Sequence, residues 1–367
     1  MKFPTEKPAQ LARFEHLDQL LRQDLSNSLL LADTADAAIA AGALDRAGQL
    51  IEQGIQSLEA RPAWQFRLAT LRIAQRRLVE AREVLIGLEH ETGFHPSITH
   101  NLAYIELLNE SFADCADMLK RFIDDDAIAG AQAPAIHALW LRAMHHTGAL
   151  NEAWEWVQRR RTAGTLGVQA AGVASLVAVD LGRVDDAMHL SQEALDAGYV
   201  QIESLTARAS VALARRDAIA ARQLLEAALD LNPHDARTWT SLGFAELLDQ
   251  KYGASREAFE KALRVVPTHL ESWQGLGWSC VLQHELQAAA TAFTKALGLD
   301  DENAESHGGK AVVHALRGES EAARQHIARA FALDRSNLSA RFAQGILAGE
   351  TAGPDALKVL ASGLVLK

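Results

Sequence analysis

A single period governs this sequence. Ala153, Ala187, Ala221, Ser255, Ala289 and Ala323 follow one another at 34-residue steps, and Ala47, Ala81 and Cys115 do the same upstream. One longer step of 38 residues joins the two ladders, so four extra residues lie between Cys115 and Ala153. A chain that repeats at this length builds one small supersecondary unit many times and stacks the copies, because no single copy can bury its own apolar face. Larger landmarks keep the same phase. Trp239, Leu242 and Gly243 recur as Trp273, Leu276 and Gly277, Phe259 and Ala262 as Phe293 and Ala296, and Pro233 as Pro267. Glycine inside a helix costs about 1 kcal/mol relative to alanine, so its regular return signals close backbone approach. Alanine and leucine are abundant while prolines number 8 and tyrosines 3, a profile suited to helices packed through small side chains.

The order Trp, Leu-Gly, Ala, Phe, Ala, Pro on a 34-residue frame resembles the tetratricopeptide repeat. The match is strongest in the two copies that carry Trp239 and Trp273. Elsewhere the phase continues with weaker signatures: His307 and Lys310 replace the expected Trp and Leu, and Ser175 and Ser191 stand at the Gly and Phe places. Nine repeats are counted, beginning near residues 28, 62, 96, 134, 168, 202, 236, 270 and 304. The resemblance implies an all-α fold, a right-handed α-α superhelix of about nine helical hairpins with terminal capping helices. In this frame Ala35, Ala69, Ala103, Ala209, Gly243 and Gly277 admit the second helix of each pair. Pro233 and Pro267 punctuate successive repeats, and Thr268 with Glu271 is expected to form a capping box.

Four segments are expected. Residues 1–27 form an N-terminal capping helix, with Leu11, Phe14, Leu17, Leu21 and Leu25 on one face. Residues 28–133 hold repeats one to three, with an acidic loop near 124–134, and residues 134–337 hold repeats four to nine. Residues 338–367 form a degenerate repeat: one helix near Ser339–Ala348 and another near Pro354–Ala361, where Leu357, Leu360 and Leu364 close the stack. Val359 and Leu366 fall off that side, which makes the C-terminal helix a candidate for self-association. The acidic loop reads as a solvated connection, with a hinge between two sub-stacks as the sharper alternative. Arg159, Arg160 and Arg161 read as a solvated helix end.

The formal net charge of −11 disfavours a phosphate backbone, so nucleic acid is not an expected partner. No apolar stretch reaches membrane-spanning length, and the first residues lack a signal-peptide core. With two widely spaced cysteines, Cys115 and Cys280, this points to a cytoplasmic chain, and the arginine and alanine richness to a bacterial one. His90, Glu91 and His95 miss the zinc-protease spacing by one residue, and the adjacent His145 and His146 cannot face one ligand from a helix. No glycine-rich phosphate loop or nucleophile elbow is present. No metal, cofactor or enzymatic activity is expected.

By the same resemblance, ligands lie against the first helices, at the second, fifth, ninth and twelfth places of each repeat. The ninth place holds Tyr104, Arg142, Phe244 and Trp278, and the fifth holds Phe66, His100 and Gln274. Small fifth-place residues are expected to leave room beside aromatic anchors, giving an apolar channel for an extended or helical segment of a partner protein. The Lys and Asn clamp of chaperone-tail-binding members is missing: Asn101 is the one sixth-place Asn. The expected function is a non-enzymatic adaptor, scaffold or chaperone. The alternative is a regulatory or targeting subunit of an enzyme or secretion system, or a sensor of peptides or small molecules. If Tyr104, Phe244 and Trp278 are groove residues, their joint replacement by alanine removes binding and leaves melting unchanged.

Overall fold

The computed structural model describes residues 6–56 and 61–350. Among them every regular element is helical. After a helix at Glu6–Leu21 come nine hairpins. Their first helices are Ser28–Ala40, Arg61–Ala74, Pro96–Leu108, Ala133–His146, Val168–Asp180, Ile202–Ala214, Ala236–Leu248, Leu270–Leu282 and Ala304–Leu316. Their second helices are Leu44–Gln56, Leu78–Thr92, Phe112–Leu119, Leu150–Thr162, Val184–Asp196, Ala218–Leu231, Tyr252–Val265, Leu286–Leu299 and Ser320–Leu333, and a final helix spans Leu338–Leu347. The hairpins fall into two compact units, one ending at Val200 and the other beginning at Gln201. None of the described helices is long and apolar enough to cross a membrane.

The small-residue ladder is the spine of both units. Ala47, Ala81, Cys115, Ala153, Ala187, Ala221, Ser255, Ala289 and Ala323 are all 0% exposed. Burial also pushes the thiols of Cys115 and Cys280 up, to about 12 and about 11, so neither is a ready nucleophile at neutral pH. Polar residues at the weaker signature places are satisfied locally: Ser175 donates to the Gly172 carbonyl and Ser191 to that of Ala187, each at 2.6 Å.

A second ladder organises the turns. Gly42, Arg76, Glu110, Gly148, Gly182, Arg216, Gln250, His284 and Gly318 each adopt a left-handed conformation, with φ between 60° and 75°. The next residue's N–H then reaches back to the preceding helix, as Arg183 does to the Ala178 carbonyl at 2.8 Å and Lys251 to that of Glu246 at 2.9 Å. Five of these nine places carry a side chain that resists the conformation. Gly182→Ala is expected to lower the urea unfolding free energy by about 1 kcal/mol, and Gln250→Gly to raise it by less. An unchanged midpoint for Gly182→Ala would remove the strain argument.

In the unit from Gln201 onward, aromatic rings are held between glycines. A Cβ on Gly243 would stand 2.7 Å from the Phe259 ring, and one on Gly275, in the next hairpin, would overlap the same ring. Gly277 and Gly309 hold Phe293 in the same way. Phe259 and Phe293 are both 0% exposed. Trp239 and Trp273 are half-buried, and each indole N–H donates to the carbonyl of Pro233 or Pro267 at 2.8 Å, tying the repeat to its own entry turn.

Several expectations change. The expected capping box does not form: His269 caps Leu270–Leu282 without a side-chain bond to the backbone. Caps recur instead at that place in the frame, where Asp235, Asn303 and Asn337 accept from the N–H of Thr238, Ser306 and Ala340 at 2.7, 2.9 and 2.8 Å. In the first helix Leu21 is buried and Phe14 and Leu17 half-buried, but Leu11 and, beyond the helix end, Leu25 face solvent at 45% and 63% exposure. Helix Leu338–Leu347 forms near its expected place, while the helix expected at 354–361, with Leu357, Val359, Leu360, Leu364 and Leu366, lies outside the described residues.

The acidic segment, exposed from Asp124 to Ile128, also carries local structure. Asp125 caps the short helix Asp126–Ala129, accepting from Ala127 and Ile128, and the Ile123 carbonyl accepts from the Trp156 indole at 3.1 Å. The arginine run is also engaged. Arg159 lies 3.6 Å from Asp124, Arg160 pairs with Asp126, and Arg161 meets Asp186 at 2.8 Å. Three consecutive helix positions point to three carboxylates in different directions, which is why the run looks purposeless in one dimension.

Candidate functional site

A groove opens beside the first three hairpins. It is assembled from the first helix of each pair, with Asp36 from the first hairpin, Phe66, Arg67 and Thr70 from the second, and Ile98 from the third. Leu88 and Thr92 from the second helix of the second hairpin and His95 from the following turn complete a cavity of about 600 Å³. Phe66 and Tyr104 are half-buried and pack on one apolar cluster that includes Ala69, Leu85, Ile98 and Leu102.

The polar groups of this wall are linked in order. Arg67 grips Asp36 through two bonds of 2.9 and 2.8 Å, and its guanidinium lies 5.1 Å from the Trp64 ring. Thr70 donates to the Phe66 carbonyl at 3.0 Å, so its oxygen receives the Asn101 amide N–H at 3.4 Å. That orients the Asn101 carbonyl oxygen toward His100 Nδ1, 3.2 Å away. Nδ1 must therefore carry the hydrogen, and Nε2 is left as an acceptor. Burial, with the added repulsion of Arg142, holds the His100 imidazole below its usual range, so it is neutral at pH 7. Four of the expected residues, Phe66, His100, Tyr104 and Arg142, thus belong to neighbouring hairpins of one unit, with His100 and Arg142 coupled by charge.

The other three engage neighbouring side chains, and of them Trp278 alone is buried. Trp278 is 2% exposed, stands edge-on to Phe293 with ring centroids 5.6 Å apart, and donates to Glu305 at 3.2 Å. Gln274 donates to Asn303 at 2.6 Å and Ser306 at 2.9 Å. Phe244, half-buried, meets Phe259 edge-on at 5.0 Å. Nor do small fifth-place residues leave room here. Thr206 and Thr240 are 2% and 3% exposed, Thr240 bonds Ser272 at 2.7 Å, and a Cβ on Gly308 would stand 2.7 Å from Ser339. The fifth place of one first helix is consumed by the third place of the next.

Arg67, Leu88, His95 and Ile98 were absent from the sequence-derived site. A signal for Arg67 exists: Asp36 and Arg67, like Thr70 and Asn101, are polar pairs 31 residues apart, the ninth place of one hairpin against the sixth of the next. Leu88 and His95 come from a second helix and a turn, outside any first-helix rule.

No family model and no curated protein matches the sequence. Solved structures do. A chain of the APC/C hetero-tetramer Cut9-Hcn1 superposes with a TM-score of 0.65 at 13% identity, over 92% of this chain and 67% of that one. A structure of pilF from Pseudomonas aeruginosa gives 0.48 at 16% identity over 58% of this chain and 97% of that one. A crystal structure of MamA gives 0.39 at 16% over 43% and 92%. At these identities the first likeness is one of fold, stacked helical hairpins over nearly the whole chain.

Proposed function

We propose that this chain, an all-α solenoid of tetratricopeptide repeats, is a binding scaffold that holds an extended segment of a partner polypeptide along the first helices of hairpins one to three. The observation that carries this reading is the contrast between its two stretches of inner wall. Phe66 lines the 600 Å³ groove and is half-buried, as is Tyr104 at the ninth place of the third hairpin, whereas Trp278 and Val312 at the ninth places of the eighth and ninth are 2% and 0% exposed. Phe66, Leu88 and Ile98 offer an apolar seat for one bulky side chain. Neutral His100, on the first helix of the third hairpin, offers its Nε2 as an acceptor to a peptide N–H. The overall negative charge agrees with a protein and not a nucleic-acid partner.

The test is affinity capture from the native lysate with the wild-type chain and the Phe66→Ala/Tyr104→Ser variant, followed by calorimetry with the segment identified. The variant is expected to bind at least about tenfold more weakly, as expected for loss of aromatic anchors, with its helical circular dichroism unchanged. A partner held equally well by both proteins would move the site elsewhere.

A further inference from the structure

Between the two helices of the ninth hairpin, the seam is built from titratable groups. The seventh and eighth hairpins place Trp239 with Leu242 and Trp273 with Leu276 at the positions where the ninth has His307 and Lys310. His314 follows one turn later, and His326 faces this row from the second helix. His307 Nδ1 and His326 Nδ1 are 2.9 Å apart, and His307 Nε2 lies 3.0 Å from the Asp301 carbonyl. A carbonyl can only accept, so Nε2 of His307 is protonated and its Nδ1 receives the hydrogen of His326. His314 stacks on His326 at 5.4 Å with rings 7° from parallel, and its Nδ1 is held by Glu319 at 2.5 Å.

We propose that this seam is a proton-sensitive joint: acidification charges both faces of the ninth hairpin, and residues 304–347 open before the seventh and eighth hairpins do. One added proton can be shared across the Nδ1 contact. A second places hydrogen against hydrogen and leaves two imidazolium rings beside Lys310. Other charges near the joint do not relieve this. Glu319 is already bonded to His314, Asp301 contributes only its carbonyl, and on the helix of His326 itself Arg324 and Arg329 pair outward with Glu321 and Glu302, each at 3.5 Å. From the flanking helices, Lys295 and Arg341 would add only positive charge. Helix Leu338–Leu347 packs on the ninth hairpin through Phe342, Ile346 and Leu347, so its order depends on that hairpin.

Burial, together with Lys310, His307 and His314, pushes the His326 imidazole down to about 4 from 6.5. A His held below its unfolded value favours the closed form above pH 6.5, and that contribution is lost as pH falls toward 4. Hydrogen exchange on the full chain, corrected for intrinsic rates, should show the opening constant of residues 304–347 rising by up to about tenfold per pH unit across this window. Amides of Tyr252–Val265 should stay comparatively flat. His326→Leu should abolish the rise, and Lys310→Leu, which removes one repelling cation, should move its midpoint to higher pH. Equal pH dependence in the seventh and ninth hairpins, or a slope that survives His326→Leu, would overturn the proposal. So would micromolar zinc protecting the ninth hairpin at neutral pH, reversed by a chelator, since the histidine pair would then be a metal chelate.

Discussion

Gly275→Ala is expected to destabilise the unit from Gln201 onward by about 2–3 kcal/mol, although alanine is the better helix former. The new methyl would overlap the Phe259 ring, which is fully buried and lies close to Gly243 of its own hairpin as well, so it has little room to shift. The ring belongs to one hairpin and the methyl to the next, so the strain falls on the contact through which the repeats stack. Phe259→Leu should partly rescue the variant while being destabilising alone, giving a coupling energy of about 1 kcal/mol or more in a double-mutant cycle. Gly87→Ala is the matched control. Gly87 lies within Leu78–Thr92 with nothing near its missing Cβ, so this change should stabilise by about 0.5–1 kcal/mol. Equal effects at Gly275 and Gly87 would mean that the ring is not confined.

Trp278→Ala should cost about 3–5 kcal/mol, a loss of the size seen when a large aromatic is removed from a filled core. Its indole is 2% exposed, its edge contact with Phe293 is lost, and Glu305 is left without one donor. Phe66→Ala removes a half-buried ring and should cost only about 1–2 kcal/mol while weakening partner binding. Chemical denaturation of the two variants, with calorimetric binding in parallel, separates them. The combined alanine replacement of Tyr104, Phe244 and Trp278 therefore cannot leave melting unchanged, and any loss of binding in it would report unfolding as much as contact. Full stability in Trp278→Ala would return Trp278 to the candidate surface.

What was legible in one dimension was whatever recurs. All nine ladder residues are buried, and the first helices begin at Ser28, Arg61, Pro96, Ala133, Val168, Ile202, Ala236, Leu270 and Ala304, within a residue of the phase read from small side chains. A constraint that every hairpin must satisfy leaves many copies of its mark. The left-handed turn residues share that phase, but five are not glycine, so the usual residue signal was missing.

The site followed a different logic. Places equivalent in the frame are not equivalent in exposure, because each depends on what the next hairpin contributes. Tyr104 stays half-exposed, while Trp278 is buried against Phe293, whose ring fits between Gly277 and Gly309. Asp124, Asp125 and Asp126 are exposed, yet Asp124 and Asp126 meet Arg159 and Arg160 and Asp125 caps a short helix, partners that their run in sequence does not reveal. The sequence by itself determined the repeating unit, its length, its number of copies and its buried spine, since those follow from local periodicity and from how closely two helices can approach. Only the tertiary structure decided which first-helix side chains remain exposed, because that depends on neighbours some 30 residues away whose size and hydrogen-bonding the period does not specify.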